Sequence, residues 1–136
     1  MNGAVAKGLH HVEIWVPDLD EAVDSWGWLF TSLGFELTAA WVRGRSWDAG
    51  SSYVTLTSSP NLSAAEHDRR RAGMNHLAFW GGRRAEVDAL MAAAELHGWT
   101  PLYADRYPHA GGPDHYAGWL ENDQGFKVEI VADSRA

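Results

Sequence analysis

The chain has 136 residues, of which 46% are apolar and 21% charged, a composition that suits one folded domain and excludes an intrinsically disordered chain. Its formal net charge of −7 argues against non-specific nucleic-acid binding and against docking on an anionic membrane. Because the chain has no cysteine, it has neither disulfides nor thiolate metal sites, and a bound metal would take nitrogen and oxygen ligands.

The first half of the chain predicts a strand, a helix and three further strands. The strand at 9–16 stops at Pro17, and Asp18 followed by Glu21 is typical of a capping box that opens a helix. Gly34 supplies the C-terminal stop of this helix. Strands at 35–42 and 52–57 follow, with a turn or short strand at 43–50 between them.

The second half repeats this order after a linker at 58–73. A strand at 74–80 leads through Gly81 and Gly82 to a helix at 84–97, which Gly98 stops. A strand at 99–107, a loop rich in Gly and Pro at 108–114, and a hairpin of strands at 115–121 and 126–131 complete the order. This internal repeat predicts a single domain, residues 1–136, built of two modules at about 9–57 and 74–132.

The strand that opens each module carries a histidine and, four residues later, a tryptophan. Side chains of a strand alternate between its two faces, so the histidine and the tryptophan share a face with the residue midway between them. These faces are His11, Glu13 and Trp15 in the first module and His76, Ala78 and Trp80 in the second. We expect both tryptophans to form walls of a pocket.

A carboxylate completes this pattern only in the second module. Glu129 lies between apolar residues in the last predicted strand, and the repeat places Thr55 at the same position in the first module. Matching histidines in two repeats, together with Glu129, favour a metal site over isolated side chains that are merely satisfied within the fold. By strand alternation, His10 should point away from His11.

Further polar residues are candidates for proton transfer. Glu13 is expected to point toward the site; the alternative is an inward charge satisfied by an arginine or a partner chain. His109, His115 and Tyr116 flank the Gly-Gly-Pro turn before the hairpin and offer titratable or hydrogen-bonding groups. The alternative for these three is a polar surface turn.

Three motifs relate the chain to a known family. They are His11-Val-Glu-Ile-Trp-Val-Pro-Asp-Leu with Leu33-Gly-Phe, Asn75-His76-Leu-Ala-Phe, and Asn122-Asp-Gln-Gly-Phe-Lys-Val-Glu129. Over residues 9–132 the chain resembles the vicinal oxygen chelate superfamily, which includes glyoxalase I, fosfomycin-modifying transferases, methylmalonyl-CoA epimerase, extradiol dioxygenases and bleomycin-binding resistance proteins. The resemblance implies an α+β fold in which two β-α-β-β-β modules form an open, barrel-like mixed sheet.

The resemblance also implies a ligand set. It assigns His11, His76 and Glu129 to one divalent metal ion, which could be Zn, Mn, Fe, Ni or Co. The fourth ligand position of the glyoxalase type falls on Thr55, a departure from that pattern. Members of the family commonly pair their modules in a homodimer, and the barrel is formed either within one chain or across two.

On this basis we expect a metal-dependent, glyoxalase-like enzyme for a small oxygen-rich substrate, with lyase or isomerase chemistry through a Lewis-acid-stabilised, enolate-like intermediate. The alternative is a non-catalytic drug- or metabolite-binding protein of the bleomycin-resistance type; a fosfomycin-type transferase and a dioxygenase are further alternatives. The expected partners are a small-molecule substrate and a second copy of the chain, not nucleic acid or membrane, and the expected location is cytoplasmic. The expected catalytic residues are Glu13, His109 and His115, and the expected substrate contacts are Trp15, Trp80, Thr55 and Tyr116.

Overall fold

The computed structural model describes residues 5–135. In the first half, a strand and a helix precede three strands: β1 (His11–Trp15), α1 (Leu19–Ala22), a π-helical stretch (Val23–Gly27), α2 (Trp28–Ser32), β2 (Glu36–Trp41), β3 (Gly44–Asp48) and β4 (Tyr53–Thr57). In the second half, the order recurs as β5 (Leu77–Trp80), α3 (Arg84–Ala93), a 3₁₀ turn (Ala94–His97), β6 (Trp99–Leu102), a 3₁₀ turn (Ala104–Arg106), β7 (Ala117–Asn122) and β8 (Lys127–Val131).

The strands form two four-stranded sheets with the same topology. The first sheet has the order β1-β4-β3-β2 and the second β5-β8-β7-β6. In each, the opening strand runs parallel to the last strand of its module, while the remaining pairs are antiparallel. The predicted α+β class with two β-α-β-β-β modules is confirmed. The two sheets are separate, and they do not close into a barrel.

The first helix begins and ends at the predicted signals. The Asp18 carboxylate accepts a hydrogen bond from the Glu21 backbone N–H at 3.0 Å, satisfying a donor that the helix itself leaves without a partner. At the other end, Gly34 has φ of +85°, a conformation that a residue with a Cβ adopts only under strain. The chain therefore turns sharply from α2 into β2.

Two predicted strands are too long. The strand predicted at 74–80 begins only at Leu77, so His76 precedes it. The strand predicted at 99–107 ends at Leu102, because Tyr103 has φ of 57° and cannot continue an extended chain. A 3₁₀ turn follows instead, and it starts the long loop that returns to β7.

The back faces of both sheets pack on the helices and share one hydrophobic core. Trp26 is fully buried, and its ring lies edge-on to Trp99 at 5.1 Å and to Phe126 at 5.9 Å. The indole N–H of Trp99 donates to the carbonyl of Ser25 at 2.8 Å. A first-module helix is thus packed on strands of the second module, which leaves the opposite, polar sheet faces uncovered.

Within the described residues, no helix combines the length and apolar character that crossing a bilayer requires.

Candidate metal and substrate site

Glu129 is the centre of the polar face of the second sheet. It lies on β8, only 7% exposed, between β5 and β7. Its Oε1 is 3.1 Å from Nε2 of His76, and its Oε2 is 2.5 Å from Nε2 of His115. Two imidazoles therefore approach the two oxygens of one nearly buried carboxylate.

Asn75 determines which nitrogen of His76 carries a proton. The amide Nδ2 of Asn75 donates to the carbonyl of Arg69 at 3.0 Å, so its Oδ1 is the atom that faces Nδ1 of His76 at 2.7 Å. Nδ1 must then be the donor. In the neutral ring, the lone pair of Nε2 is left pointing at the Glu129 carboxylate.

Two electron-rich atoms that face each other need a positive charge between them. Either a second ring proton or a cation can supply it, and imidazole nitrogen with carboxylate oxygen is a donor set that divalent transition metals accept. An Nδ1–H held by an amide oxygen is also the usual outer support of a metal-binding histidine. His76 and Glu129 therefore fit a divalent ion.

The loop before β7 is fastened to α3 and carries His115. The hydroxyls of Tyr107 and Tyr116 both donate to Oδ1 of Asp88, at 2.5 and 2.6 Å. Nδ1 of His109 donates to the carbonyl of His115 at 3.2 Å. These bonds hold His115 in position against Glu129, and they leave Nε2 of His109 as the ring nitrogen with a free lone pair.

These hydrogen bonds change how the three groups titrate. The hydroxyl of Tyr107, followed by that of Tyr116, lowers the pKa of the Asp88 carboxyl below its ordinary value of 3.8. Burial and the bond to Asp88 raise the pKa of Tyr107, and the bond to Asp88 also raises that of Tyr116. The carboxylate form of Asp88 is therefore the one that fastens the loop.

Asp88→Asn is expected to lower stability at neutral pH by about 1 kcal/mol or less, since the site is solvent-exposed. A carboxyl group whose pKa is lowered by folding stabilises the protein at any pH above its ordinary pKa. This stabilisation is lost as the pH falls through the lower pKa that the group has in the folded protein. The difference from wild type should therefore shrink below pH 3.8. Thermal unfolding of both proteins across pH measures it, and Asp114→Asn, in the loop that Asp88 fastens, is the control. A difference that does not depend on pH contradicts the expectation.

The first sheet places the corresponding residues differently. The His11 ring stacks on Tyr53 with centroids 4.7 Å apart, and its Nδ1 is 2.9 Å from Nδ1 of His10. His10 also lies edge-on to Tyr53 at 5.3 Å. The prediction that His10 points away from His11 is wrong, because β1 begins at His11 and strand alternation does not extend to the residue before it.

The remaining polar residues of this sheet face form two separate hydrogen-bonded pairs. Glu13 accepts the indole N–H of Trp15 at 2.7 Å. Thr55 lies opposite Glu13 in the β1–β4 register, is buried, and its hydroxyl is 2.7 Å from that of Ser46. Ala78 lies opposite Glu129 in the same way, so Thr55 and Glu129 occupy equivalent positions, as the repeat predicts.

Within residues 5–135, no three His, Asp or Glu side chains are arranged to hold one metal ion. The structure brings His115 and His76 to Glu129, but it does not bring His11 there. His11, on the edge strand β1, instead lines a small cavity with Tyr53 of β4 and with Ala78 of β5, the edge strand of the second sheet. The three-ligand set stays a prediction: in one chain His76 and Glu129 are in contact, and His11 is engaged elsewhere, on Tyr53 and His10.

The expected substrate contacts have unequal access to solvent. Trp15 and Trp80 are 41% and 65% exposed, the second with the Arg135 guanidinium 5.8 Å from its ring centre. Tyr116 is half-buried beneath the guanidinium of Arg84, and its hydroxyl is engaged by Asp88. The two tryptophans are therefore the more accessible candidates.

Residues 10–119 match the model of the Glyoxalase/Bleomycin resistance protein/Dioxygenase superfamily. The chain belongs to this superfamily. The resemblance drawn from the sequence motifs is thereby confirmed. Fold and membership do not specify a reaction, because one scaffold carries different chemistries.

Several relatives of this glyoxalase-superfamily chain are similar over nearly its whole length. The uncharacterized protein YqjT of Bacillus subtilis (strain 168) is 36% identical over 127 residues, 93% of this chain and 99% of the relative. The structure of a proposed glyoxalase from Bacillus halodurans is 42% identical with a TM-score of 0.85, covering 91% and 94% of the two chains. Lactoylglutathione lyase from Agrobacterium tumefaciens shares the fold at a TM-score of 0.64 and 18% identity, covering 94% and 95%.

Sequence reasoning missed several residues that shape the candidate site. Asn75 stands in a quoted motif, and its place directly before a candidate ligand was a signal for a supporting role. Lys127 shares the face of Glu129 by strand alternation, which was a second signal. No sequence signal pointed to Asp88 or Tyr103, because Asp88 on a helix and Tyr103 in a loop reach this part of the molecule only through tertiary packing.

Proposed function

We propose that this member of the superfamily is a metal-dependent enzyme that acts on a small oxygen-rich substrate by lyase or isomerase chemistry. The observation that carries the proposal is the pairing of a carboxylate with an imidazole whose lone pair Asn75 turns toward it. A pocket that only sequesters a ligand does not need this arrangement, whereas a metal site does.

The proposed ligands are His76 and Glu129 of one chain and His11 of a second copy. The module repeat places His11 and His76 at equivalent positions, and the polar faces of both sheets are open. Exposed apolar side chains on the first sheet are consistent with a partner: Trp15, Leu37 and Trp41 are 41%, 56% and 44% exposed. A dimer that faces the first module of one copy with the second module of the other would complete each site.

A bound divalent ion would supply Lewis-acid stabilisation of negative charge that develops on substrate oxygens, as in an enolate. The chain's own groups handle the protons. The free Nε2 of His109 can accept one, and His115 can hold one against the Glu129 carboxylate. Glu13 would approach from the first module, and Trp15 and Trp80 would bound the substrate, with Thr55 and Tyr116 as further contacts.

Mixing two variants tests the proposal and its shared geometry. His11→Ala and Glu129→Gln homodimers should each lose metal, because each lacks one ligand in both sites. In a mixed dimer, one site lacks both His11 and Glu129, and the other site is intact. Unfolding and refolding equal amounts of the two variants together makes about half of the dimers mixed, so about a quarter of all sites should bind metal again. Metal per chain, measured by elemental analysis, is the readout.

A matched mixture provides the control. His76→Ala and Glu129→Gln alter the same half of the site, so every mixed dimer lacks one ligand in each site and no metal should return. Recovery in this control, or none in the first mixture, contradicts a site shared between copies. Wild-type protein that takes up no Zn, Mn, Fe, Ni or Co contradicts the metal enzyme altogether.

One observation favours the second candidate, a metal-free binding protein. Three tryptophans among the described residues are exposed: Trp15, Trp41 and Trp80. Flat aromatic rings suit the stacking of a drug or metabolite. Such a protein would be isolated without metal and would bind its ligand equally well after His76→Ala.

A further inference from the structure

Lys127 is one of only two lysines in the chain, and it is only 7% exposed. Lysine is almost never buried unless its charge is paired. Among the described residues, the Lys127 ammonium has no carboxylate partner, and its hydrogen bond goes to the hydroxyl of Tyr103 at 2.9 Å. A buried positive charge is thus held beside the polar sheet face without a negative counterpart.

The carboxylate best placed to neutralise Lys127 is already taken. Glu121 lies opposite Lys127 in the β7–β8 register, but its Oε2 accepts from Nε of Arg69 at 2.6 Å. The guanidinium of Arg106 adds a third positive charge, 5.1 Å from the ring centre of Tyr103. Lys127 is therefore left without a carboxylate of its own, and an anion can supply the missing negative charge.

Tyr103 connects these cations to the Glu129 cluster. Its hydroxyl accepts from Lys127, which leaves its own O–H free to donate. Its ring lies edge-on to Trp119 at 5.8 Å, and Trp119 is the residue opposite Glu129 in the β7–β8 register. Tyr103 is therefore in contact with the residue that pairs with Glu129 on the neighbouring strand.

We propose that Lys127, Tyr103 and Arg106 form an anion-binding subsite next to Glu129, which takes a carboxylate or phosphate-type group of the substrate. This proposal rests on the proposed function in one respect only, the placement of the reacting part of that substrate at Glu129. The bond from Lys127 polarises the Tyr103 O–H and so strengthens its donation to the anion. Arg106 contributes long-range attraction from the exposed side.

The titration of Tyr103 agrees with this geometry. The hydrogen bond from Lys127 lowers the pKa of the phenol, and the charges of Lys127, Arg69 and Arg106 lower it further against the opposing effect of burial. A phenol whose oxygen is in positive surroundings is a strong hydrogen-bond donor.

Titration of metal-free protein with inorganic phosphate, and separately with acetate, tests the subsite. Calorimetry gives the dissociation constant, and the indole N–H of Trp119 in NMR spectra reports where the anion binds. We expect Lys127→Met and Tyr103→Phe each to weaken the tighter-binding anion by about tenfold or more. If phosphate binds more strongly, the subsite takes a phosphate-type group of the substrate; if acetate binds more strongly, it takes a carboxylate.

Two controls separate this subsite from the metal site and from non-specific attraction. Lys7→Met removes the other, exposed lysine and should leave both affinities unchanged. His76→Ala should abolish metal binding but leave the affinity for the anion unchanged, so a failure of the metal proposal can be distinguished from a failure of the anion subsite. Tyr103→Phe keeps the aromatic ring and decides the question if Lys127→Met does not fold. Binding of neither anion by wild type, or unchanged affinity in Tyr103→Phe, overturns the subsite.

Discussion

Glu129→Gln is expected to abolish tight binding of divalent metal while leaving the fold intact. The amide keeps the shape of the carboxylate but loses its charge, and one of its two oxygen acceptors becomes an NH₂ donor. Changing an outer partner of a metal ligand costs roughly 10–100-fold in affinity, so replacing the ligand itself should cost about 100-fold or more. Calorimetric titration with Zn²⁺ and Ni²⁺ measures the loss, with circular dichroism as a check of the fold.

Two further variants make this prediction specific. Glu121→Gln is the same change on the neighbouring strand, where the carboxylate pairs with Arg69, and it should leave metal affinity near wild type. Asn75→Ala should weaken metal by roughly 10–100-fold, because the Nδ1–H of His76 would lose the oxygen that orients it. Full metal occupancy in Glu129→Gln would show that the ion does not bind at this carboxylate.

Taken together, the two proposals would give the polar face of the second sheet two functions. Glu129 and the imidazole of His76 would offer ligands to a cation, while Lys127, two residues earlier on β8, would attract an anion. A substrate with a chelating pair of oxygens and a separate anionic group would meet both at once. The two sites should therefore discriminate substrates together, because a molecule that lacks either group loses one set of contacts.

The sequence was sufficient to predict the repeat, the fold class and the sheet face that carries the polar cluster around Glu129. Each of these depends on a regular pattern in the sequence, either the alternation of residues along a strand or the repeated order of elements. Strand alternation placed Glu129 on the face of the second sheet that carries the polar cluster, and the repeat placed Thr55 at the equivalent position of the first. Asp18 and Gly34 act on backbone groups within a few residues of themselves, so the start and the end of the first helix could also be predicted.

The arrangement around Glu129 could not be predicted, because it depends on contacts between distant parts of the chain. Tyr116 reaches an acceptor on Asp88, 28 residues earlier, and that bond helps to hold His115 in place. Lys127 donates to the hydroxyl of Tyr103, 24 residues before it, and the left-handed backbone of Tyr103 ends a strand that the sequence pattern would have continued. Short-range periodicity contains no information on such contacts.

The position of His11 shows a different limit. Sequence repeats relate equivalent positions, but they do not say whether equivalent residues meet within one chain or between two. Within the described part of the chain, His11 stacks on Tyr53 instead of joining Glu129. This follows from the way the modules pack, since their shared core lies behind both sheets and turns the polar faces outward.

That shared core makes Trp26→Ala the substitution with the largest expected effect on stability. The Trp26 ring is fully buried and contacts Trp99 and Phe126 of the second module as well as Phe30 of its own. Removing a core tryptophan costs about 3–5 kcal/mol, a large share of the roughly 5–15 kcal/mol by which a domain is stable. Both modules should lose stability together.

Denaturant unfolding followed by far-UV circular dichroism and by fluorescence tests this expectation. The variant should unfold in a single transition at much lower denaturant, with both probes coinciding, because the two modules share one core. Trp80→Ala is the matched control: the same change at a side chain 65% exposed should shift the midpoint little. If the two probes separate, or if Trp26→Ala costs no more than Trp80→Ala, the modules are independent folding units and the predicted single domain is wrong.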